Sequence, residues 1–206
     1  MQREITSLKN CNTFTWTTLP QNKRLVGGKW VFRVKIDANG NTAGYKARYV
    51  AQGYTQRPGD DYTETYAPTP NPASIRTVLH IATQNNWAIR QMDVNTAYLH
   101  ADIEEEVYLK PPTGFEKHDN NGNLLVWKLN KSLYGLKQAG HNWNKRLDSF
   151  LRQNQFLPTV SDSCVYIKHE STDTTYLVFH VDDITTTGTA TPCSITLQAN
   201  CVPSSA

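Results

Sequence analysis

Two adjacent carboxylates, Asp182 and Asp183, follow the run Tyr176-Leu177-Val178-Phe179-His180-Val181 and precede a threonine-rich stretch. Neighbouring acids repel each other, so solvent, a basic partner or a metal ion must compensate. A third acid, Asp93, ends the short mixed segment 87–94. If two strand ends lie side by side in a sheet, Asp93 and Asp182 reach one site with the hard oxygen donors that Mg²⁺ requires. Two such ions, about 4 Å apart, clamp the attacking and leaving oxygens of a phosphoryl displacement. On spacing alone, a solvated turn is the commoner explanation of an Asp-Asp pair.

Basic residues are segregated from these acids. Residues 20–60 hold eight Lys/Arg against two Asp, and residues 128–152 hold six against one. The segments 90–120 and 160–190 are acidic in turn. This alternation could fold into a cleft with phosphate-binding walls and a carboxylate floor, or it could be solvated surface charge. The net charge of +3 permits nucleic-acid binding without demanding it. A length of 206 residues with 38% hydrophobic and 19% charged side chains suits one domain or one large fragment, and excludes collagen-like repeats and wholesale disorder. Cys11, Cys164, Cys193 and Cys201 show no CxxC spacing, which favours a reduced, intracellular chain over a zinc site. The first ten residues carry no apolar signal region, and no apolar run is long enough to cross a bilayer.

Periodicity predicts the elements that must position these groups. Residues 30–36 alternate as a half-buried strand, Asn39-Gly40 signals a hairpin turn, and a return strand covers 43–51. Asn71 and Pro72 open a helix whose Ile75, Val78, Leu79 and Ala82 form an apolar stripe. Residues 87–94, 106–110 and 124–129 read as further strands. A long helix is expected over 136–154 with Gly140 as a weak point. The runs at 164–167 and 176–181 pair as a hairpin, and from Thr185 onward the chain reads as poorly ordered or as the remnant of an element whose continuation is missing. The class is α+β.

Six blocks in order raise this reading further. WVFRVK at 30–35, KARYVAQGYTQRPGDDYTETYAPT at 46–69, SIRTVLHIA at 74–82, QMDVNTAYLHADIEEEVYLKPPTGF at 91–115, LNKSLYGLKQAGHNW at 129–143, and DSCVYI with FHVDD at 162–183 resemble the reverse transcriptase of Ty1/copia-type long-terminal-repeat retrotransposons. The resemblance covers about residues 28–188. It implies a reverse-transcriptase-like fingers and palm with no counterpart of the thumb, preceded by a lead-in at 1–27 and followed by a divergent, disordered tail at 189–206.

What the resemblance implies for the site is specific. Asp93, Asp182 and Asp183 match the catalytic aspartates, with the Val94 carbonyl as a further metal ligand for two Mg²⁺ ions, Mn²⁺ being the alternative. His180 stands at the usual tyrosine position of the aspartate box. Lys46, Arg48, Tyr98 and Gln138 match nucleotide-binding positions, with Tyr98 under the sugar, where its ring leaves no room for a 2′-hydroxyl. Lys131 and Lys137 would touch nucleic-acid backbone. Partners would be an RNA or DNA template with its primer and deoxynucleoside triphosphates. The integrase and ribonuclease H regions of such polyproteins have no match here. Localisation by resemblance is cytoplasmic, in a virus-like particle.

The chain departs from the family pattern at Gly140-His141, where a Pro-Arg pair is usual, at His180, and after residue 188. Two readings follow. One is an RNA-directed DNA polymerase domain that joins nucleotides to a primer 3′-hydroxyl. The other is a truncated, catalytically silent remnant that at most binds nucleic acid. With no thumb pattern, weak primer–template binding and little extension are expected of the chain alone.

Overall fold

The computed structural model describes residues 1–189. In chain order its first elements are α1 (Gln2–Asn10), β1 (Phe14–Thr17), β2 (Leu25–Val26), β3 (Gly28–Ile36), β4 (Thr42–Ala51), α2 (Pro72–Gln84) and β5 (Ile89–Asp93). There follow β6 (Tyr108–Leu109), β7 (Lys117–His118), β8 (Leu124–Leu129), α3 (Ala139–Gln153), β9 (Leu157–Pro158), β10 (Val165–Glu170), β11 (Asp173–His180) and β12 (Asp183–Gly188). The α+β class is as expected. The chain divides into two units, one built from residues 1–65 and 98–142, the other from 66–97 and the described residues after 142.

The first unit holds a small sheet in the order β1-β8-β6-β2, with β7 also on β8, and a separate ribbon of β3 and β4. Its core gathers around Trp127, which stacks on Phe14 at 3.9 Å and takes Tyr49 edge-on at 5.5 Å. The lead-in contributes to this core. Ile5 and Leu8, three apart on one face of α1, are both buried in it, and β1 pairs antiparallel with β8 from Phe14↔Leu129 to Thr17↔Val126. Those partners are more than a hundred residues apart, so no local pattern announces the pairing. The ribbon has the expected strands and turn, but β3 is exposed along most of its length rather than half-buried, Phe32 and Ile36 included, because among the described residues no element packs along the outer part of the ribbon. At its tip the Gly40 N–H donates to the Asp37 carbonyl, and the Asp37 carboxylate accepts from Asn39 and Asn41. Gly40 alone takes the positive φ (+82°) that the expected Asn-Gly turn would place on both residues.

The second unit is a sheet in the order β5-β12-β11-β10-β9. Val165 and Val178, cross-strand partners, pack on Val78 of α2. Tyr166, the next residue along β10, donates its hydroxyl to Asp148 of α3 at 2.6 Å. Side chains alternate across a strand, so α2 and the part of α3 from Trp143 on cover opposite faces. Burial, and then the Asp148 charge, push the Tyr166 phenol well above its ordinary range. Asn71 caps α2 as expected, its side chain accepting from the Ala73 N–H at 2.9 Å, and Pro72 occupies the first turn. The long helix starts at Ala139 rather than 136, which places Gly140 in its first turn, where a glycine weakens a helix least.

Of the two expectations for the stretch from Thr185, the poorly ordered one is corrected. Thr185 to Gly188 are not the beginning of a loose segment; they form most of β12, paired with β11 on one side and β5 on the other. Thr186 and Thr187 are fully buried. Threonine is β-branched and suits a pleated strand, and the Thr187 hydroxyl finds a partner in the Ala88 carbonyl at 3.0 Å. The expectation for the tail falls on residues 190–206, outside the described residues. Among the described residues no helix is long and apolar enough to cross a membrane.

α1 also meets the ribbon through Glu4, whose carboxylate accepts from the Tyr49 N–H at 3.3 Å. Burial raises the Glu4 pKa above its ordinary value, against the opposing effects of that hydrogen bond and of Arg48 and Lys46. The folded state therefore favours the protonated acid, and the stability this confers is present in acid and lost as pH rises through the raised pKa. Urea unfolding of the parent and a Glu4→Gln variant should show the parent losing ground to the variant between acid and neutral pH. A pH-independent difference would mean that the Glu4 charge is no burden to the fold.

Candidate active site

The acids come together at one end of the second unit's sheet. β11 and β12 are joined by a two-residue turn, Val181-Asp182, with His180 opposite Asp183. β12 then pairs with β5 so that Asp183 stands directly opposite Asp93. His180, Asp183 and Asp93 thus form one row across three strands, with side chains on a common face. Asp93 and Asp183 are exposed and Asp182 is half-buried in the turn. The Asp182 carbonyl accepts from the Val94 N–H at 2.8 Å, which ties the turn to the end of β5.

The turn is strained. Val181 has φ +57°, a left-handed conformation that a β-branched residue adopts only under constraint. In a two-residue hairpin with positive φ at its first position, glycine is the usual occupant. Here the constraint comes from α3. The indole N–H of Trp143, a fully buried side chain, donates to the Val181 carbonyl at 2.8 Å. In the sequence Trp143 is the last letter of the run at 129–143, and its hydrogen bond to this turn is not legible there.

Like charges placed directly opposite in an antiparallel pair destabilise it. Asp93 and Asp183 hold that relation, which a cation between or beside them would relieve. Among the described residues no three His, Cys, Asp or Glu side chains gather into a self-sufficient metal cluster. Mg²⁺ does not need one: it is commonly held by one or two carboxylates, with water and substrate phosphates completing the shell. The all-oxygen donor set of Asp93, Asp182, Asp183 and the Val94 carbonyl fits such an ion.

The remaining sequence candidates lie in the first unit. Lys46 and Arg48 are on β4, opposite Arg33 and Val31 of β3. That ribbon face carries Lys29, Arg33, Lys35, Lys46 and Arg48, whereas Trp30, Phe32, Val34 and Tyr45 point to the other. Arg48 sits over the ring of Tyr134 at 4.9 Å, and Tyr134 meets Tyr98 edge-on at 4.5 Å. Gln138 is fully buried. Its amide donates to the Asp61 carbonyl at 2.7 Å and accepts from Gln56 at 3.0 Å, while Gln56 in turn accepts from the Lys137 N–H. Lys137 is exposed with its ammonium 5.5 Å from the Tyr62 ring centroid. Lys131 is held by Asp102 at 2.6 Å. Arg48 and Tyr98 therefore share a neighbour, Gln138 and Lys137 share another in Gln56, and Lys131 stands apart in an ion pair. Tyr134 and Gln56 were not singled out from the sequence, although they lie within the quoted runs at 129–143 and 46–69.

Comparison with known proteins identifies the family. The family model described as reverse transcriptase (RNA-dependent DNA polymerase) matches residues 11–195. The chain is 42% identical over 193 residues to the retrovirus-related Pol polyprotein from transposon TNT 1-94 of Nicotiana tabacum, covering 91% of this chain and 14% of that protein. It is 41% identical over 177 residues to the corresponding polyprotein from transposon RE1 of Arabidopsis thaliana, covering 84% and 12%. With the Ty1-DR4 Gag-Pol polyprotein of Saccharomyces cerevisiae it shares 36% over 163 residues, 79% of this chain and 9% of that one. The chain thus spans only about a seventh or less of the length of these relatives. It belongs to the reverse transcriptase family, as a domain of the kind found in Ty1/copia retrotransposon Pol polyproteins.

Proposed function

We propose that this domain performs RNA-directed DNA synthesis, adding deoxynucleotides to a primer 3′-hydroxyl. The observation that carries the reading is the register of β12 on β5, which sets the Asp93 and Asp183 carboxylates opposite each other beside Asp182. The second unit corresponds on this reading to the palm, and the β3/β4 ribbon to the fingers. Asp93, Asp182 and Asp183, with the Val94 carbonyl, would hold two Mg²⁺ or Mn²⁺ ions. When bound, such ions neutralise charge on the phosphates and favour the ionised form of the attacking hydroxyl.

The protein's own groups do the rest. Asp93 and Asp183 anchor negative charge at a fixed end of the sheet, and Asp182 supports them from the turn. Lys46 and Arg48 bind the triphosphate, where the planar guanidinium of Arg48 can make two parallel hydrogen bonds. Tyr98 lies under the deoxyribose and excludes a 2′-hydroxyl. Gln138, buried and fully engaged, contributes through the Asp61 and Lys137 backbone that it helps to hold. Lys137 and the ribbon cations meet the phosphates of template and primer, and Lys131 does so once it exchanges Asp102 for a phosphate. In the longer polyproteins, integrase and ribonuclease H regions would act alongside this domain, within cytoplasmic particles.

Three outcomes test this reading. Mg²⁺-dependent incorporation on a primed RNA template should fall on the order of 10²-fold or more in an Asp183→Asn variant. Equal background signals from parent and variant would favour a silent remnant instead. Primer–template affinity should drop steeply with salt, and an Arg33→Gln/Lys35→Gln variant should lower the log–log salt slope by about 2, close to one per phosphate contact removed. An unchanged slope would take the ribbon out of the nucleic-acid interface. In Trp143→Phe the Val181 carbonyl loses its indole partner, and urea unfolding should show a loss of about 1–3 kcal/mol. Amide exchange at Val94 should quicken in the same variant; unaltered protection there would mean the turn keeps its shape without Trp143.

A further inference from the structure

Tyr134 stands between two side chains that the proposed function assigns to the nucleotide. The Arg48 guanidinium carbon lies 4.9 Å from the centre of its ring. The Tyr98 ring meets the same ring at 4.5 Å between centroids and 63° between planes, an edge-to-face contact. Both geometries are attractive: a cation is drawn to the electron-rich face of an aromatic ring, and a ring edge to a neighbouring face.

The backbone that presents this ring is fixed independently of it. The Tyr134 carbonyl accepts from the Ala51 N–H at 2.8 Å. Gly135 has φ +92° and approaches Ala51 so closely that an added Cβ would lie 2.1 Å from the Ala51 oxygen. Leu133 and Leu136, on either side, are buried in the unit's core. The segment is thus stapled to the end of β4, three residues from Arg48, and it presents the Tyr134 ring to both Arg48 and Tyr98.

We infer that Tyr134 is a positioning residue that couples the triphosphate grip to sugar selection, holding Arg48 and Tyr98 in mutually compatible places. The inference rests on the roles proposed for Arg48 and Tyr98. Arginine and tyrosine each carry rotamer freedom that must be given up when a nucleotide binds. A ring that touches both removes part of that freedom beforehand and makes the displacement of one felt by the other. Loss of the ring should therefore weaken nucleotide binding and loosen the preference for deoxyribose together. Loss of the hydroxyl alone should do neither.

The test uses the full chain on a DNA-primed RNA template whose primer ends in a dideoxynucleotide, so that binding is read without chemistry. Dissociation constants for dGTP and GTP opposite a template cytosine are measured for the parent, Arg48→Met, Tyr98→Val, Tyr134→Leu and Tyr134→Phe. Arg48→Met should weaken both nucleotides alike, and Tyr98→Val should improve GTP relative to dGTP. Tyr134→Leu should show both effects, with dGTP weakened roughly three- to fivefold, and Tyr134→Phe should match the parent. If Tyr134→Leu fails to fold, Tyr134→Met, which refills more of the ring's volume, carries the same comparison. A ring-free variant that leaves the dGTP-to-GTP ratio unchanged, while Arg48→Met and Tyr98→Val act as stated, overturns the inference alone. A parent that binds neither nucleotide, or silent Arg48→Met and Tyr98→Val variants, overturns the assigned roles and the inference with them.

Discussion

The carboxylate site depends on a turn that its own sequence does not favour. A two-residue link between β11 and β12 is short enough to keep Asp183 in register with both His180 and Asp93, but it forces Val181 to φ +57°. Left-handed backbone costs about 1–2 kcal/mol for an ordinary residue, and more for one branched at Cβ. The hydrogen bonds that oppose this cost come from outside the hairpin: the Trp143 indole on the Val181 carbonyl and the Val94 amide on the Asp182 carbonyl. Each holds one of the two turn residues. α3 and β5 therefore do more than bury the hairpin; they hold the turn in the conformation that sets Asp183 opposite Asp93.

The first unit solves a similar problem with glycine instead of strain. Gly135 (φ +92°) and Gly53 let two backbone segments meet at distances no side chain would permit, and Gly135 brings Tyr134 alongside β4. Gly28 likewise leaves space for the Tyr49 ring, whose hydroxyl reaches the Lys110 carbonyl at 2.7 Å and whose pKa burial pushes up to about 12. Where the chain needs closeness it uses residues without a Cβ. Where it needs a particular dihedral at the carboxylates it uses a bulky residue held by neighbours, so that the turn is set by tertiary contacts and can be tuned by them.

What the sequence made legible follows the range of the interactions involved. Asn71 and Pro72 mark the start of α2 because capping is decided within three residues. The ribbon tip is legible for the same reason. Asp37-Ala38-Asn39-Gly40-Asn41 and Asp119-Asn120-Asn121-Gly122-Asn123 close with the same carboxylate-to-amide bonds and a glycine at φ +82°. The family resemblance located Asp93, Asp182 and Asp183, but periodicity could not show that Asp183, rather than Asp182, is the register partner of Asp93. The Thr185–Gly188 strand was missed because threonine hydroxyls look solvated until a strand lies on each side. β1 was missed because its strand partner lies more than a hundred positions downstream. Tyr134 and Trp143 were visible as motif letters, yet their roles reside in contacts that only a folded chain has.

The two units share one further feature, of opposite sign. In the second, β12 and β5 set Asp93 against Asp183; in the first, β3 and β4 set Arg33 against Lys46. Directly opposed like charges are ordinarily avoided in antiparallel pairs; a third such pair, Glu170 opposite Asp173 at the end of β10 and β11, has the Lys168 ammonium on Glu170 at 2.7 Å. Departures from local rules tend to sit where a ligand supplies what the protein leaves out. An acidic pair asks for a cation and a basic pair asks for an anion. Each repulsion weakens its own strand pair in the free protein, and each would be relieved by a ligand of the opposite charge.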